Sequence, residues 1–115
     1  MSENNVTSIS SITEDVSSRV QNALGGKLHK IILFGSYARG TFDEESDIDI
    51  MVLADVNDYE LDEMEKALWD IGWDTGLEHD VMISVFLKKT SHFYEWIDAM
   101  AYYRNINEDG VMLYG

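Results

Sequence analysis

The chain has 115 residues with 45% hydrophobic and 11% aromatic content, enough for one folded domain with a real core and too short for two. With 22 acidic against 8 basic residues its net charge is −14, which disfavours nucleic-acid partners, whose affinity comes from Lys and Arg contacts to phosphate. The absence of cysteine excludes disulfides and thiolate metal sites, and no apolar run reaches membrane-spanning length.

The polar start, residues 1–7, resembles no signal peptide and is expected to fray, leaving cytoplasm as the default compartment. Ile9, Ile12, Val16, Val20 and Ala23 recur at helical spacing and predict a helix over 9–24, with Ser11 and Glu14 as a capping box and Gly25-Gly26 as its stop. A branched apolar run, His29 to Phe34, predicts a buried strand. Gly35 then turns the backbone, and Ser36 opens a short helix to Arg39 that Gly40 closes. A strand, a glycine turn and a helix start make an anion site, since free amides and the dipole end face the ligand.

The loop acids Asp43, Glu44 and Glu45 read as solvated, without a direct role. Asp47 and Asp49, two residues apart, project from one face of a strand running to Ala54, with Ile48, Ile50 and Val52 on the other. Carboxylates about 7 Å apart on one strand face can converge on divalent cations that take their remaining ligands from water and substrate phosphates. Phosphate cradle and carboxylate pair together describe a site for a nucleoside triphosphate and magnesium.

Asn57 or Asp58 caps a predicted helix to about Gly72, with Leu61, Met64, Leu68 and Ile71 as its inner stripe. Trp69 and Trp73 lie off that stripe, as edge packing or partner contacts. A third strand is predicted over Glu78 to Lys88, with Asp80, Met82, Ser84 and Phe86 on one face; Lys88 and Lys89 mark its solvated end. His79 has no second histidine at ligand spacing. Ser91 caps a last predicted helix to about Asn105, whose off-stripe Tyr94 and Tyr102 hint at an interface, and the apolar tail to Tyr114 is expected to dock on the sheet.

Gly35-Ser36, ten residues, then Asp47-x-Asp49, with an apolar strand on each side, resembles the signature of the polymerase-beta-like nucleotidyltransferase superfamily. The wording Gly-Ser-Tyr-Ala-Arg-Gly and the short length look most like its minimal nucleotidyltransferase branch. The resemblance implies an α/β fold of the α+β kind, a small mixed sheet flanked by helices, and a single domain over residues 1–115. It implies two magnesium ions bridged by Asp47 and Asp49. Asp80, followed by Val81, matches the third carboxylate that completes the metal site and deprotonates the attacking hydroxyl, with Glu78 in reserve. Gly35 and Ser36 would bind the leaving pyrophosphate; Arg39 either contacts phosphate or pairs with an acid to fix the loop, and Tyr37 packs beside nucleotide or sheet.

The implied reaction moves a nucleoside monophosphate, AMP from ATP, to a hydroxyl. Small family members act as antitoxins beside HEPN-type ribonuclease toxins and some adenylylate a toxin tyrosine, so a HEPN-type partner is the expected acceptor. The alternative is a catalytically silent antitoxin, or a nucleotide-binding module, acting by protein contact alone.

Overall fold

In the computed structural model residues 2–43 and 46–115 are described, with side chains from residue 9 onward. Four strands, β1 (Leu28–Phe34), β2 (Ile48–Ala54), β3 (Ile83–Lys89) and β4 (Val111–Tyr114), form one sheet in the order β3-β2-β1-β4. β1 runs antiparallel to both β2 and β4, and β2 runs parallel to β3. The predicted mixed sheet is thus present, and the apolar tail completes it as an edge strand.

Side-chain alternation on the strands separates two apolar layers. Ile31 and Leu33, Ile48, Ile50 and Val52, and Ile83, Val85 and Leu87 pack with α1 (Ser2–Leu24) and α3 (Asp58–His79). Ile32, Met51 and Leu53 pack on the opposite face against Phe93 of α4 (Thr90–Trp96) and Tyr103 and Ile106 of α5 (Ala101–Asp109). Burying each of these aliphatic side chains contributes about 1.5–3 kcal/mol, so both faces of the sheet are held.

Several boundaries differ from the sequence expectation, each for a packing reason. α1 begins at Ser2, upstream of the expected start at Ile9, so Ser11 and Glu14 sit inside the helix and form no capping box. Leu24 rather than Ala23 ends its buried stripe. Asn57 and Glu60 do form a full capping box at the start of α3, and Leu68 is fully buried with Leu61, Met64 and Ile71 packed around it.

α3 does not stop at Gly72. A Cβ at Gly72 would lie 3.0 Å from the Ile83 carbonyl oxygen, and one at Gly76 would lie 2.6 Å from that of Val81. These glycines let the helix press on the strand that follows it; they are contact points, not breakers. The helix therefore absorbs Glu78 and His79, and β3 begins at Ile83. The expected helix over 91–105 is two helices, α4 and α5, broken by a turn in which the Ala99 and Met100 amides bond the Trp96 carbonyl. α4 starts at Thr90 with Lys89 as its extended N-cap, so Ser91 is not the cap.

Candidate active site

The two halves of the signature meet where β1 ends and β2 begins, since Phe34 pairs with Asp49. Gly35 has φ 77° and ψ −153°, a backbone state essentially closed to other residues. A Cβ there would sit 2.6 Å from Asp49 Oδ2. The glycine is thus required twice, by the turn and by the carboxylate that lies against it. Behind it, Ser36–Arg39 form the single helical turn α2, closed by Gly40 in the left-handed region at φ 74°. The first amides of such a turn have no partner within the helix.

Asp47 is exposed and Asp49 half-buried. Burial first, and then the neighbouring charge of Asp47, raises the Asp49 carboxyl above its ordinary value. A cation near the pair would relieve the second penalty directly and offset the first. Tyr37 stacks on Phe42, ring centroids 4.4 Å apart, and its phenol is pushed up by burial and then by Asp43 and Asp47. It therefore lies beside Asp47, as part of the wall of the site. Ser46 Oγ accepts from the Asp43 amide at 2.9 Å and pins one end of the loop; Glu44 and Glu45 lie outside the described residues.

Asp80 is not on a strand. It caps α3 in the left-handed conformation at φ 56°, the sole non-glycine with positive φ among the described residues. The α3–β3 turn holds it there, with the Val81 amide bonded to the Gly76 carbonyl at 2.9 Å. From that cap it lines an open cleft with Tyr37, Ser46 and Asp47, and Asp49 is not among that cleft's lining residues. Beside Asp49 in the parallel register stands Ser84 instead. Among the described residues no three acidic or histidine side chains come together as a metal-holding group. The reserve residue Glu78 is on α3, where it accepts from Arg19, and His79 Nε2 bonds Asp15 Oδ2 at 3.0 Å; both tie α1 to α3.

Arg39 forms no ion pair among the described residues. It borders a second cavity, of about 240 Å³, with Phe34, Gly35 and Tyr102. Tyr102 meets Phe34 edge-on with centroids 6.0 Å apart, and burial followed by the charge of Asp49 raises its phenol. This tyrosine belongs to the wall of the site. A helical projection cannot reveal that, because its neighbours come from β1 and α2.

The small mixed sheet holds the Gly35-Ser36 turn against the start of β2, with Asp47 just before the strand and Asp49 on it. Residues 9–106 match the nucleotidyltransferase domain family, and the chain belongs to it. It is 41% identical over 90 residues to a Methanocaldococcus jannaschii protein named "putative protein adenylyltransferase", a match spanning 77% of this chain and 81% of that one. Two solved structures share the fold. A toxin–antitoxin assembly with AMP-PNP is 23% identical at TM-score 0.52, covering 89% of this chain and 73% of that chain. A tri-AMPylated Shewanella oneidensis HEPN toxin in complex with its MNT antitoxin is 21% identical at TM-score 0.50, covering 91% and 71%.

Proposed function

We propose that this nucleotidyltransferase moves AMP from ATP, with magnesium, to a tyrosine hydroxyl of a HEPN-type toxin, and so acts as an antitoxin in the cytoplasm. The observation that carries the reading is the packing of Gly35 on Asp49, because it joins a phosphate-binding turn to an acidic pair in one device. The adenylyltransferase name of the archaeal relative and the AMPylated toxin in the neighbouring assembly support the choice of AMP and of a protein acceptor.

Asp47 and Asp49 would hold magnesium, which supplies positive charge to the triphosphate oxygens. Its other ligands would come from water and the triphosphate, as is usual for that ion. Ser36 and the first amides of α2 would hold the phosphates that leave as pyrophosphate, and Arg39 adds a cation nearby. Asp80 lines the same open cleft as Asp47; from its helix cap it would serve the approach of the acceptor and not the metal pair.

The rival reading is neutralisation by contact alone, and Trp69, Trp73 and Leu77 favour it, since they stand 60%, 56% and 66% exposed at successive turns of α3. One experiment separates the two. A HEPN-type partner is co-expressed with the wild type or with the Asp47→Ala/Asp49→Ala double variant and weighed intact. Added mass in whole AMP units with the wild type only is the expected result. Full neutralisation by the double variant, with no added mass in either sample, would establish the contact mechanism.

A further inference from the structure

Beside the signature, a cavity lies between the end of β1, α2 and α5. Phe34, Gly35 and Arg39 border it from the signature, and Tyr102, Asn105 and Asp109 border it from α5. Tyr102 and Asn105 are three residues apart and share a helix face, so ring and amide border one space. That space, about 240 Å³, is small for a whole nucleotide and suits one flat heterocycle.

From this juxtaposition we infer that the cavity is the base subsite of the proposed nucleotide site, and that Asn105 selects adenine; the inference rests on the transfer reading above. A nucleotide is anionic at one end and aromatic at the other, and the lining supplies both a guanidinium, Arg39, and an aromatic ring, Tyr102. Tyr102 offers a ring face, which any base accepts by stacking. Selection needs hydrogen bonds. An asparagine amide presents one donor side and one acceptor side, the complement of adenine N7 and its N6 amino group. Guanine presents acceptors at both positions, O6 and N7.

The test is calorimetric titration of the full chain, in magnesium, with AMP-PNP, GMP-PNP and tripolyphosphate as a base-free probe. AMP-PNP is expected to bind about tenfold more tightly than GMP-PNP, one good bidentate pair's worth. Asn105→Ala should erase that preference and leave tripolyphosphate binding unchanged. Tyr102→Ala should weaken both nucleotides about tenfold, whereas Tyr102→Phe keeps the stacking and the affinity. Both side chains are exposed, and unchanged melting temperatures confirm that the variants fold. A preference that survives Asn105→Ala, or tighter binding of GMP-PNP, overturns the subsite. If tripolyphosphate then still binds through Asp47 and Asp49, the transfer reading stands without it. If neither tripolyphosphate nor AMP-PNP binds, both fall together.

Discussion

Replacing Gly35 by alanine tests whether turn and carboxylate form one device. At φ 77° and ψ −153° the backbone there is open to glycine almost alone, and forcing another residue into it costs about 1–3 kcal/mol. The new methyl would also sit 2.6 Å from Asp49 Oδ2, so the carboxylate must move as well. Gly40 is the internal control: it too has positive φ, 74°, but a Cβ there meets nothing within 4 Å. Its alanine variant should lose about 1 kcal/mol, the ordinary left-handed penalty. Gly35→Ala should lose about 2–3 kcal/mol. At about 4 °C per kcal/mol for a domain of this size, that lowers Tm by roughly 10 °C against roughly 4 °C for Gly40→Ala. Displacing Asp49 by about 1 Å should cut AMP transfer about 100-fold, while Gly40→Ala retains most of it. Scanning calorimetry and transfer of labelled AMP measure the two effects. Equal losses of stability and activity in both variants would refute the coupling.

Asp49, whose carboxyl is raised in the folded state by burial and then by Asp47, binds its proton more tightly when folded. Stability should therefore fall as pH rises from the unfolded value of 3.8 through the folded one, and Asp49→Asn should melt at or above wild type at neutral pH while losing transfer; a lower melting temperature there contradicts the burial argument. Asp15 has the opposite sign: its hydrogen bond from His79, offset by burial and reinforced by Arg19, lowers its carboxyl, so its contribution is full above 3.8 and is lost as pH falls through the folded value. Asp15→Asn should cost up to about 1 kcal/mol in urea unfolding at neutral pH, and the deficit should vanish in strong acid. Thr75 is fully buried and its hydroxyl has no hydrogen-bond partner among the described residues. Thr75→Val should be neutral or stabilise by about 1 kcal/mol, and a clear drop in Tm would show that the hydroxyl is satisfied.

Features governed by neighbours in the chain were legible in the sequence. Apolar runs at 31–34 and 48–52 specify strands, and Asn57 with Glu60 caps α3 through bonds that span three residues; the expected strand from Asp47 begins one residue later, at Ile48, so Asp47 precedes β2 and strand alternation does not set its side. The signature itself is local on both halves, and that is why the family could be recognised before any packing was known. What needed the tertiary structure was everything decided by contact between distant segments. Gly72 and Gly76 look like helix stops until β3 is placed against them; they then carry α3 seven residues further and move Asp80 off the strand onto a helix cap, with Ser84 beside Asp49 instead. Gly110 lies against Ile32 and precedes the tail that pairs with β1, a pairing no local pattern encodes. Tyr102 and Asn105 reach the signature because α5 folds over the end of β1, so the nature of the base subsite is a property of the packed molecule and not of any stretch of its chain.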